Sequence, residues 1–231
     1  MSTKKYSTKK FLLSSLFLLK IFSCDSFSFF SNSSSTPAKI FKVMLNPAQT
    51  DRIICDNTEE YLAFEICQAI QAKLTAAHSQ IQVNLTREPG AELSRIQIAS
   101  NSNQANINLF LSLHVYHTCS PKPTINIFYY TKQRFCSQLN NFTNLSFINY
   151  SDAYLANCDQ TINWGHKITN YLTQNKISQF TIEPLLGLPF KPLAGIQVPA
   201  ISIEIGLKNS AWYSCVTPIA EAILACILPT L

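Results

Sequence analysis

The side chains in this sequence able to do chemistry together are His114, Glu204 and one of the adjacent pair Glu59 and Glu60. His114 closes the run Leu109-Phe110-Leu111-Ser112-Leu113. A short, almost unbroken apolar segment of this kind reads as a strand buried on both faces, with a polar group at its carboxyl end. Glu204 follows a similar run, Ala200-Ile201-Ser202-Ile203. An imidazole and two carboxylates gathered from such distant points suit a hydrolytic zinc site, in which the metal lowers the pKa of bound water and a non-ligand Glu shuttles its proton. On residue types alone the competing reading is a polar residue satisfied at a strand end, so the elements that position these groups decide between the two.

Those elements are legible in the patterning. Residues 40–45 form a first strand, stopped by Asn46-Pro47. A polar loop over 46–58 carries Gln49, Asp51 and Arg52. Thr58 is placed to cap a helix whose first turn holds Glu59 and Glu60, and Leu62, Ile66, Ile70 and Leu74 recur at helical spacing to about residue 77. Residues 81–86 alternate as a second strand ending in Thr86-Arg87, Pro89-Gly90 makes a turn, and a short helix is expected over 92–100. A strand over 124–130 follows the one ending at His114. Residues 132–149 are weakly patterned, 152–175 reads as a helix interrupted near Trp164-Gly165, and 184–199 is a Pro-rich loop. The chain closes with a strand over 200–205 and a helix over 217–227 with Pro218 in its first turn. Strands alternating with helices predict a single α/β domain over 39–231, with a mostly parallel or mixed central sheet flanked by helices. In such a sheet the loops after Leu45, Leu113 and Ile203 open on one edge, where open α/β folds place their sites, and they carry Gln49, His114 and Glu204.

Composition narrows the partners. Of 18 Lys and Arg, five lie in the first 24 residues, leaving 13 against 13 acidic side chains in the rest. A neutral body argues against a nucleic-acid binder, which concentrates Lys and Arg on one face. Lys4, Lys5, Lys9 and Lys10 precede the apolar run over 11–19, so residues 1–24 are expected to be a secretory signal, too short for a membrane span. Ile21-Phe22-Ser23-Cys24 resembles a loose lipobox, which would make Cys24 a lipid anchor, and residues 25–38 form a Ser-rich tether. The expected location is therefore outside the cytoplasm, in the periplasm or cell envelope. Eight cysteines fit an oxidising compartment, and the absence of Cys-x-x-Cys argues against a zinc knuckle. Cys67 and Cys226 fall in apolar helical patterns and are expected to be buried thiols.

The order of these segments resembles the catalytic domain of the zinc-dependent N-acetylmuramoyl-L-alanine amidases, which cut the amide between muramic acid and the peptide stem of peptidoglycan. Where that family has Asp-Pro-Gly-His-Gly-Gly after its first strand, this chain has Asn46-Pro47-Ala48-Gln49. Glu60 through Leu85-Thr86-Arg87 matches a metal-binding Glu helix running to Leu-Thr-Arg. An Arg-bearing helix follows, with Arg95, and then Ser112-Leu113-His114-Val115-Tyr116 for Ser-Ile-His-Ala-Asn. Pro199-Ala200, Glu204, Gly206 and Asn209 match Pro-Ala-x-x-x-Glu-x-Gly-x-x-x-Asn. The resemblance implies His114 and Glu60 as zinc ligands, with Glu59 as a one-register alternative, Glu204 as the general base, Arg87 and Asn209 as substrate contacts, and peptidoglycan as substrate. It also places Gln49 where the first zinc His belongs. An amide oxygen is a far poorer zinc donor than imidazole, so the resemblance equally implies a non-catalytic descendant that binds peptidoglycan. His117 and His166 are conceivable replacement ligands, although His117 should point to the face opposite His114.

Overall fold

The computed structural model describes residues 39–132, 149–175 and 179–231, which belong to one compact unit, Pro37–Leu231. The expected signal, the Ser-rich tether with Cys24, and most of the weakly patterned 132–149 stretch lie outside the described residues.

Strand β1 (Phe41–Pro47) leads through a two-residue hairpin, β2 (Ile53–Ile54) and β3 (Asn57–Thr58), into helix α1 (Glu59–Ala77). The hairpin turn, Cys55-Asp56, has positive φ at both residues, 49° and 68°, the backbone that reverses a chain in two residues. Thr58 caps α1 by accepting from the Tyr61 amide at 3.2 Å, so the helix begins with Glu59 at the carboxyl edge of β1. Strand β4 (Ile81–Leu85), helix α2 (Arg95–Gln104), and strands β5 (Leu109–His117) and β6 (Thr124–Tyr130) follow. After them come helix α3 (Cys158–Gln174), the short strands β7 (Thr181–Ile182) and β8 (Leu186–Leu188), strand β9 (Ala200–Leu207) and helix α4 (Tyr213–Ile227).

The seven-stranded sheet runs β4-β1-β5-β9-β6, with β7 and β8 pairing to β6. The four strands from β4 to β9 are parallel, and β6 is antiparallel to β9. This is the α/β architecture the alternation implied. The strand period of two then sorts the residues. Val43, Leu45, Leu109, Leu111, Leu113, Ile201 and Ile203 enter a large core with Leu62, Ile66 and Ile70 of α1, Trp164 and Ile168 of α3, and Ile219 and Ile223 of α4. Cys67, Cys215 and Cys226 are buried in that layer as free thiols, and burial pushes the Cys226 thiol up to about 11. The opposite face carries a smaller cluster: Met44, Phe110 and Ala200 against Ile98 and Ala99 of α2, with Leu193 and Ile196 from the segment before β9.

Several boundaries differ from the sequence expectation, each for a local reason. Strand β5 does not end at His114; it runs to His117 because β9 continues beside it, pairing His114 with Glu204 and His117 with Leu207. Helix α2 starts at Arg95, set by a capping box in which Ser94 and Gln97 bond each other's backbone amides. Helix α3 is continuous through Gly165. A Cβ there would lie 2.7 Å from a Leu185 methyl, so the glycine serves close packing and leaves the helix unbroken. Helix α4 begins at Tyr213, which leaves Pro218 inside it. The segment Tyr213–Thr230 is apolar and long enough to span a membrane by length and composition, and half of it is buried inside the domain, packed on α1 and α3.

Candidate active site

The residues of interest lie on the α2-facing side of the sheet, and along the strands that side changes character. Phe110, Met44 and Ala200 are apolar core. Two residues further on come Asn46, Ser112 and Ser202, all buried polar side chains, and then His114 and Glu204, adjacent across β5 and β9. A further step brings Tyr116 opposite Gly206. A Cβ at Gly206 would collide first with the Thr124 hydroxyl and then with the Tyr116 ring at 2.8 Å, so glycine makes room for Tyr116 to lie across β9 against Thr124. There its hydroxyl bonds Thr124 at 2.6 Å and accepts from Asn126 at 2.9 Å. The sheet thus grades from core to polar site toward its carboxyl edge.

Glu59 reaches this edge from the first turn of α1. Its Oε1 lies 3.3 Å from His114 Nδ1 and accepts from the Val115 amide at 3.3 Å, while Oε2 accepts the Thr50 hydroxyl at 2.5 Å. His114 Nε2 lies 3.1 Å from Ser112 Oγ. Asn46 donates to Ser112 Oγ at 3.1 Å and accepts from the Thr86 hydroxyl at 2.9 Å. Burial works against the Glu59 charge, yet the bonds from His114 and Thr50, the nearby imidazole and the Val115 amide hold its carboxyl below the usual range. Glu204 is the reverse case. Burial raises its pKa; His114 and Arg52 pull it down and Glu59 pushes it up, with burial prevailing.

Two clefts share Thr50 and His114 in their walls. One, of about 390 Å³, is lined by Asn46, Ala48, Gln49, Leu93 and Arg95. The other, of about 370 Å³, is lined by Arg52, Glu59, Tyr116, Phe190 and Glu204. The Phe190 ring meets the His114 ring edge-on at 5.4 Å and stacks on Phe128 at 5.7 Å, forming an aromatic wall.

The expected site residues therefore part company. His114, Glu204 and Gln49 line these clefts. Glu60, preferred over Glu59 as His114's partner, does not meet the imidazole; adjacent helical residues point about 100° apart. Glu60 instead accepts Arg87 Nη1 at 2.7 Å. Arg87 has a fully buried side chain and gives Nη2 to the Ala48 carbonyl at 2.8 Å, so it braces the β1 loop rather than reaching these clefts. Asn209 lies beyond β9, bonded to the Ala211 amide at 3.1 Å. His117 points away from His114, with its Nδ1 3.9 Å from the Cys55 thiol, and His166 is exposed on α3. Ser112, Thr50, Arg52 and Phe190 were not anticipated. Ser112 had a signal, lying two residues before His114 and so on the same strand face; the other three, in loops, had none.

Zinc, implied by the sequence resemblance, can be tested against these donors. Among the described residues no three His, Cys, Asp or Glu side chains converge as a metal site. Gln49 does not complete one, because its Oε1 accepts the Leu93 amide at 3.1 Å. Both ring nitrogens of His114 face protein partners. The residues present do not fit a zinc site.

No protein-family model matches the chain, and no curated protein matches it. Solved structures do. The catalytic domain of CwlV, an N-acetylmuramoyl-L-alanine amidase from Bacillus (Paenibacillus) polymyxa var. colistinus, aligns over 83% of this chain and 98% of its own at TM-score 0.57 and 14% identity. The amidase AmiC2 of Nostoc punctiforme aligns over 81% and 97% at 0.59 and 14% identity. Ami1 of Mycobacterium smegmatis aligns over 83% and 96% at 0.56 and 13% identity. The sheet order, the helix entering at the β1 edge and these nearly full-length alignments make the chain an α/β domain with the fold of the N-acetylmuramoyl-L-alanine amidase catalytic domains.

Proposed function

We propose that this chain is an exported cell-envelope protein that binds peptidoglycan through the clefts around His114, as an amidase-fold protein that has given up zinc hydrolysis. The observation that carries this reading is the fate of Gln49: at the position of a metal imidazole it is an amide spent on holding Leu93. The recognition surface remains. Arg95 and Arg52 are exposed in the two clefts, and their side chains make no ion pair among the described residues. Guanidinium groups are suited to the carboxylates of a peptide stem, and they take the role that the resemblance implied for Arg87 and Asn209. Phe190 and Tyr116 offer apolar and hydroxyl surface to a sugar or lactyl group.

The test is co-sedimentation with purified sacculi and calorimetry with a muramoyl peptide. The expected result is binding that weakens in Arg52→Ala and Arg95→Ala, without release of peptide from the glycan. A hydrolytic reading is favoured by one observation, the pairing of Glu204 with His114 across adjacent strands. It requires peptide release that is lost in Glu204→Gln, and release of that kind would replace the binding reading.

A further inference from the structure

We infer that the centre of this domain is a directional hydrogen-bond chain running from Thr86 through Asn46, Ser112 and His114 to Glu59, which fixes the His114 tautomer and takes the place of a metal in holding the ring. The direction follows from one end. A carboxylate has no proton to give, so Glu59 only accepts, and the hydrogen between it and His114 sits on Nδ1. In a neutral imidazole Nε2 is then an acceptor, and the donor facing it is the Ser112 hydroxyl at 3.1 Å. Having donated its single proton, Ser112 Oγ accepts from the Asn46 amide nitrogen at 3.1 Å. That leaves the Asn46 carbonyl to accept from Thr86 at 2.9 Å.

Reversing any link reverses those behind it. With the Asn46 amide turned over, Ser112 would have to donate to it, and His114 would need its proton on Nε2. A bare Nδ1 would then face the Glu59 carboxylate, lone pair against charge. The chain joins the residue just after β4 to β1, β5 and α1, so polarity at one residue is set by four segments. An ion can coordinate His114 only by breaking a link. Asn46 is thereby a positioning residue, and with Gln49 committed to Leu93 the two account for the missing metal site. This inference stands whether or not the clefts bind peptidoglycan.

The test is long-range proton–nitrogen correlation on protein carrying labelled histidine, purified without chelator, with His114→Gln identifying the resonance. The native ring is expected in the Nδ1–H tautomer and unchanged by one equivalent of zinc chloride. Asn46→Asp, which cannot donate to Ser112 and takes its proton instead, is expected to add a proton on Nε2 beside the one Glu59 keeps on Nδ1, and Ser112→Ala, which adds no charge, to abolish the fixed tautomer. Combining Asn46→Asp with Gln49→His is expected to raise zinc affinity at least about 10-fold over Gln49→His alone, on the scale of outer-shell effects at metal ligands. A native ring protonated on Nε2, or zinc that shifts the native resonance at one equivalent, overturns the inference without any variant having to fold. An unchanged tautomer in both Asn46→Asp and Ser112→Ala overturns it as well.

Discussion

Glu59 and Glu204 flank the same imidazole and are held in opposite ways. Glu59 is only 4% exposed, yet Thr50, Val115 and His114 supply hydrogen bonds that more than offset its desolvation, and its carboxyl stays below the ordinary range. Glu204 is half-buried in the cleft wall and accepts no hydrogen bond from the described residues, so burial leaves its carboxyl above that range. Burial is unfavourable to both charges; donors decide the outcome. The difference separates a carboxylate that belongs to the structure from one that faces an open cleft.

The strongest way to break this contrast is Glu59→Ala, which strands three donors at the junction of α1 and β5. A loss of about 3 kcal/mol is expected in urea unfolding, on the scale of unmade hydrogen bonds to a charged group. A loss under about 1 kcal/mol would mean that the chain through His114 carries little stability. Gly206→Ala should cost about 2 kcal/mol, typical of overpacking, by driving Thr124 and Tyr116 off β9. A Tyr116→Ala background should recover only part of it, because the Thr124 hydroxyl stands nearer to the added methyl, and a double-mutant cycle measures that part. The pH dependence then sharpens the comparison. A depressed folded pKa at Glu59 gives stability that is present above the unfolded glutamate value and lost as pH falls through the folded one. The raised pKa at Glu204 gives stability present at low pH and lost as pH rises through its folded value. Glu59→Gln is therefore expected to flatten the acid side of the stability curve, and Glu204→Gln the side just above the ordinary carboxylate range. The smallest effect is the overall stability of Glu204→Gln at neutral pH, within about 0.5 kcal/mol of the parent; a large loss there would show that Glu204 is structural after all.

The fold was largely legible because it rests on periodicity. Helix α1 announced its start through Thr58, Glu59 and Glu60 and its buried face through Leu62, Ile66, Ile70 and Leu74. The buried strands β5 and β9 announced themselves as apolar runs. The start of α2, expected at 92 and found at Arg95, had a signal that went unused, Ser94 and Gln97 at the spacing of a capping box. The end of β5 was not. A polar residue ends an apolar run, but only the pairing of β9 out to Leu207 carries the strand past His114.

The site divides along the same line. The sequence by itself determined that His114 and Glu204 stand at the ends of buried apolar runs and that a carboxylate opens α1, because these are facts of residue type and local spacing; that Gln49 stands in the place of an imidazole came from the family resemblance alone. Only the tertiary structure decided that Glu59 takes His114 while Glu60 takes Arg87, and that Asn46 and Ser112 complete the hydrogen-bond chain. One helical residue is a rotation of about 100°, which spacing to a distant motif is too coarse to resolve. A hydrogen bond also depends on tenths of an ångström between segments some fifty residues apart in sequence, and such distances are set by how α1 packs on the sheet.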